Sequence, residues 1–166
     1  MAASHNRTST LIDQHLMMVG KLVNNAAICD GILFSTFKII SGCEGKIASA
    51  IYFSSEALSS KKNIIARILQ VLGDETETEI IERIISATQK SQNQRNELSH
   101  ALLKVSGGEN QLSRLNPRNQ VQPEKPVTAA YLDSLMKQSG LAYVEAHRAF
   151  QELCKKRGIS PTISLE

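Results

Sequence analysis

Residues 19–42 read VGKLVNNAAICDGILFSTFKIISG, and the spacing in this stretch decides the fold class. Apolar side chains recur in steps of three and four at Val19, Val23, Ala26, Leu33, Phe37 and Ile40. That is the period of one face of an α-helix. Ile12 and Leu16 carry the stripe toward the N-terminus, so a helix is predicted over 9–41. Gly31 is its weak point and Gly42 a suitable stop. The stripe holds one charged residue, Asp30.

Outward from there the pattern stays helical. A short helix is predicted over 44–53. A third, capped by Ser54 or Ser55 and ending at Gly73, places Leu58, Ile64, Ile65, Ile68, Leu69 and Leu72 inward. The run DETETE at 74–79 opens a fourth helix, because acidic residues suit the positive end of the helix dipole. Thr76 and Glu79 have the spacing of a capping box. This helix is predicted to reach about residue 104. An irregular connection over 107–126 follows, with Pro117, Pro123 and Pro126 in it. Leu102–Val105 and Gln111–Leu115 could pair as a short β-hairpin across Gly107 and Gly108. Thr128 caps the last helix, with Leu132, Leu135, Met136, Leu141, Val144, Phe150 and Leu153 as its apolar set. It ends in Lys155-Lys156-Arg157-Gly158, cations at the negative helix end and then a glycine. The expected fold is an all-α bundle of four or five helices. It forms one domain over 9–158 between tails at 1–8 and 159–166.

The 166 residues are 42% hydrophobic, enough for one core. No uninterrupted apolar run reaches about 18 residues, so no membrane span is predicted. The polar N-terminus is not a secretory signal. Cys29, Cys43 and Cys154 are widely spaced, form no C-x-x-C pair and have no histidine cluster beside them. Neither a disulfide framework nor a zinc site is expected, and the chain is read as cytoplasmic, with no metal or cofactor. A net charge of +3 does not by itself argue for nucleic acid.

The informative anomalies interrupt the stripes. On the fourth helix the inward seam reads Ile81, Ile84, Thr88, Ser91, Arg95, Leu98 and Leu102. It is apolar, then polar, then apolar again. Asp30 and Arg95, each costly alone on an inward face, are expected to pair. Residues 94–101 read QRNELSHA. Asn96 and His100 lie four apart on one helix face, with Arg95 alongside. Arg95 can grip a phosphate, His100 can transfer protons near neutral pH, and Asn96 can orient a neighbour by its amide. A phosphodiester reaction without metal needs such groups.

At these residues the sequence resembles the HEPN superfamily, helical bundles whose frequent signature is Arg, four to six residues, then His. Arg95-Asn96-Glu97-Leu98-Ser99-His100 fits the four-spacer form. Over most of its length the chain is similar to small bacterial HEPN-like proteins. Asp30 stands where that group usually has Glu, and Leu115–Arg118 and Val127–Leu132 resemble its later segments. Ala101 stands where the group often has Gly. No tyrosine lies two residues after His100, so the His-x-Tyr extension of HEPN toxins paired with a nucleotidyltransferase is missing.

The resemblance implies a metal-independent endoribonuclease that works as a homodimer, in defence or stress-induced growth arrest. Arg95 and His100 would be catalytic, with Asn96, Asp30 and Ser99 supporting them and Asp30 holding Arg95. RNA and a protein antitoxin or regulator are the implied partners. The alternative is a non-catalytic dimeric binding or scaffold module in which the same residues form a structural network. That reading gains from the mild charge and from an aromatic content of only 4%, too few rings to stack many bases.

Overall fold

The structure is a computed structural model and describes residues 2–72, 74–99, 101–106, 109–114, 125–126 and 128–161. It is an all-α bundle of five helices: α1 (Ala2–Ser41), α2 (Gly45–Tyr52), α3 (Leu58–Leu72), α4 (Glu75–Ser99) and α5 (Ala129–Arg157). Between α4 and α5 lies a small antiparallel sheet of β1 (Ala101–Ser106), β2 (Glu109–Arg114) and β3 (Lys125–Pro126), in that order. Leu103 pairs with Leu112, and Val105 with Asn110.

Local chemistry sets the helix ends. Gly42 takes φ 63° and Gly158 φ 65°, the left-handed conformation that glycine adopts without strain. Thr128 caps α5, its hydroxyl accepting from the Tyr131 N–H at 3.1 Å. At the start of α4 the cap is Asp74, whose carboxylate accepts from the Glu77 N–H at 2.7 Å. The expected Thr76–Glu79 box is therefore replaced by a cap two residues earlier. Three further boundaries differ from expectation. The first helix begins at Ala2 and runs through Gly31 without a break, α3 begins at Leu58, and α4 ends at Ser99.

The helices close on two apolar clusters separated by a polar layer. The larger cluster joins Ile32, Leu33 and Phe37 of α1 to Tyr52, Ile65, Ile81, Ile84, Phe150 and Leu153. The smaller joins Leu22, Leu98, Leu132 and Leu135. Between them the Asn25 amide donates to Ser139 at 3.0 Å and the Gln94 amide donates to Gln138 at 3.3 Å. The Thr88 hydroxyl donates to the Ile84 carbonyl at 2.9 Å. Thr88 and Ser91 of the α4 seam belong to this layer, which α1 and α5 complete with polar side chains of their own, whereas Arg95, expected inward, is half-exposed.

Two stripes are rotated from the expected face. The N-terminal half of α1 buries His15 and Leu22 beside the expected Ala26, while Leu16 and Val23 are exposed. On α5, Ser139, Ala142 and Ala146 are buried, and Leu141 and Val144 face water. By length and composition alone 13–41 could cross a membrane, since an 18-residue window within it has a mean hydropathy of 1.3 although polar residues interrupt its apolar runs. The buried Cys29, Ile32, Leu33, Phe37 and Ile40 commit its C-terminal half to the bundle core.

Ion pairs fasten α4 to α5 at the end remote from the small sheet. Arg157 binds the Glu77 carboxylate through two nitrogens, and Lys156 reaches Asp74 at 2.7 Å. Arg83 bridges Glu145 and Glu152, each at 2.8 Å. The basic end of α5 thus has acidic partners on α4 and at its cap.

Candidate functional site

The last two turns of α4 carry Arg95, Asn96, Glu97, Leu98 and Ser99 beside the smaller apolar cluster. Leu98 on one side of the helix is buried against Leu22 and Leu132, which turns Arg95, Asn96 and Glu97 toward a half-exposed flank. The Arg95 guanidinium donates to the Asn96 side-chain oxygen from Nε at 3.1 Å and from Nη2 at 2.7 Å. Glu97 is taken by the Tyr131 hydroxyl at 2.7 Å. Among the described residues no carboxylate pairs with Arg95. Arg83 and Arg157 are both bound by carboxylates, which raise their pKa values through hydrogen bonds. Arg95 therefore presents a permanent cation, oriented by an amide, whose charge no described acid neutralises. Ser99, next in the turn, is exposed. His100, the proposed proton carrier, lies outside the described residues.

Asp30 does not support Arg95. Its carboxylate oxygens accept from Lys61 Nζ at 3.0 and 2.9 Å and from the Tyr52 hydroxyl at 2.9 Å. The reason is axial position. The Thr88 hydroxyl also donates to the Cys29 carbonyl at 3.3 Å, so Asp30 sits level with the middle of α4. Arg95 is seven residues farther along, about 10 Å at 1.5 Å per residue. Lys61 is 5% exposed, with its ammonium 4.4 Å from the centre of the Tyr52 ring and 5.2 Å from that of Phe53. This cation, held between rings and a carboxylate, ties α1, α2 and α3 together. Burial, then the charge of Asp30, pushes the Tyr52 phenol well above its ordinary pKa, so it stays a donor.

Lys61 and Tyr52 were missed as partners, yet a signal existed. Leu58, Lys61, Ile65 and Leu69 form the buried stripe of α3, and Lys61 interrupts it as Asp30 interrupts that of α1. One polar atom of the central layer, Gln94 Oε1, is buried without a partner among the described residues, and the buried Ser91 hydroxyl lies against the Cys29 thiol. Among the described residues no three His, Cys, Asp or Glu side chains converge as metal ligands would. No family model, curated protein or solved structure matches the chain.

Proposed function

We propose that the chain is a metal-independent endoribonuclease of the HEPN type, with Arg95 and His100 as its reactive groups and Asn96 as their positioning residue. The observation that supports this reading most is the Arg95 guanidinium, held by Asn96 and left without a carboxylate among the described residues. Such a group suits a phosphate, whose charge rises in the transition state. In the reaction the RNA 2′-oxygen attacks the adjacent phosphorus and the bond to the 5′-oxygen breaks. The products are a 2′,3′-cyclic phosphate and a 5′-hydroxyl. His100 accepts the 2′-hydroxyl proton, and the His100 of a second copy, or water, protonates the leaving oxygen. Two copies facing each other would place two Arg95 on one phosphate. A cytoplasmic setting, a neutralising protein and a role in defence or growth arrest belong to the same reading. Asp30 drops out of the reactive group and Ser99 keeps only its proximity.

A second reading, a non-catalytic dimeric scaffold, is favoured by one observation. Asp30, the acid expected to hold Arg95, is used up in fastening helices. Incubation of the purified chain with single-stranded RNA in EDTA separates the two. Cleavage is expected with RNA and not with DNA, which lacks the 2′-hydroxyl. His100→Ala should lower it by about 10²–10⁴-fold. RNA left intact by the folded protein favours the scaffold.

A further inference from the structure

The outer face of α4 carries Glu82, Ser86 and Lys90, all exposed and four residues apart, so they form one ridge along the helix. A groove of about 810 Å³ runs on the α3 side and one of about 660 Å³ on the α5 side, and Ser86 and Lys90 border both. We propose that this ridge is a self-pairing surface that joins two copies of the chain, antiparallel, about Ser86.

The charge pattern argues for a second copy as the occupant. A two-fold axis through Ser86 sets Glu82 of each copy opposite Lys90 of the other, two opposite-charge pairs from one contact. Of the flanking positions, Glu79 meets Asn93 and Arg83 meets Gln89 without repulsion; the one like-charge meeting, Glu75 against Glu97, falls at the far ends, about 16 Å from the axis. A parallel pairing would instead set Glu82 on Glu82 and Lys90 on Lys90. Ser86, at the crossing, is small enough for the backbones to approach closely. Apolar surface lies at the same level. Arg83 reaches Glu145 and Gln94 reaches Gln138 across the α4–α5 seam, which places Leu141 and Val144 of α5 within about a turn of Ser86. They are 61% and 50% exposed, and around this axis Leu141 of one copy covers Val144 of the other. The contact is separate from any shared cleft at Arg95, because it leaves the two Arg95 about 27 Å apart along the helix axes. It stands or falls independently of the ribonuclease reading.

The test is a disulfide formed across the axis. Cys29 and Cys154 are buried, so Cys43→Ser removes the accessible thiol and Ser86→Cys supplies the probe. Mild oxidation of that full-length chain should give a covalent dimer, while Ser59→Cys, exposed on α3, should not. Adding Glu82→Lys, or adding Lys90→Glu, should cut the yield of the Ser86→Cys dimer at least about ten-fold, since each makes both pairs repulsive. Mixing those two variants should restore it, because positions 82 and 90 are then both lysine in one chain and both glutamate in the other. Circular dichroism of each variant checks the fold. No disulfide at Ser86→Cys, equal yields in the charge variants, or no recovery on mixing would each overturn the proposal.

Discussion

The Lys61 ammonium sits 2.9 Å from one Asp30 carboxylate oxygen and 3.0 Å from the other, with the Tyr52 hydroxyl on the same carboxylate. Lys61→Met strands a carboxylate that is three-quarters buried and should destabilise the fold by about 3–5 kcal/mol in urea denaturation. Asp30→Asn combined with Lys61→Met should cost clearly less than the two single changes added together. Strict additivity would show that the pair is not coupled.

Arg95→Ala should leave stability within about 1 kcal/mol of wild type, because its hydrogen bonds go to its neighbour Asn96 and not to Asp30. Any loss of RNA cleavage in Arg95→Ala can then be read as loss of phosphate binding. A drop of several kcal/mol would mean that the guanidinium supports the core.

His15 is 6% exposed, and its Nδ1 has no partner among the described residues. Burial holds its pKa below the ordinary 6.5, so the fold favours the neutral ring. The unfolded chain takes up the proton first. This contribution to stability is therefore complete above about pH 6.5 and fades as the pH falls toward the depressed folded value. The melting temperature of wild type should fall between about pH 7 and about pH 5 by more than that of His15→Leu. Parallel curves would reject the assignment.

Glu77 has a side chain 6% exposed and is held by Arg157, which is itself one-third exposed. Arg157→Met should cost about 1–3 kcal/mol, most of it from the carboxylate left buried. Lys156→Met should cost far less, since Asp74 lies in water and remains the cap of α4. Equal losses from the two changes would contradict this ordering.

Burial pushes the thiols of Cys29 and Cys154 above their ordinary pKa, while Cys43 is half-exposed after the end of α1. A thiol reagent at neutral pH should label Cys43 in the folded chain and reach the other two only after unfolding. Rapid labelling of Cys154 would show that the α4–α5 seam opens.

What the sequence determined by itself is what neighbours along the chain decide. The three-and-four spacing from Val19 to Ile40 made a helix whatever lay beside it. Gly42, Thr128 and Gly158 ended or capped helices through their own backbone and hydroxyl chemistry. The alternation of apolar, polar and apolar along the α4 seam marked a polar patch, read as an ion pair with Asp30 or a site, and only the packing of α1 and α5 made it part of a layer. Rotation and pairing belonged to the tertiary structure. The helix α1 is apolar around much of its circumference, so Leu16 and Val23 were as good a core face as Leu22 until α5 packed against one of them. Asp30 needed a cation, and both Arg95 and Lys61 interrupt apolar stripes. The choice fell to Lys61 because α2 and α3 bring it level with Asp30, whereas Arg95 stands about two turns away along α4. Charge neutralisation acts over a few ångströms, and distances between helices are not written in spacing along any one of them.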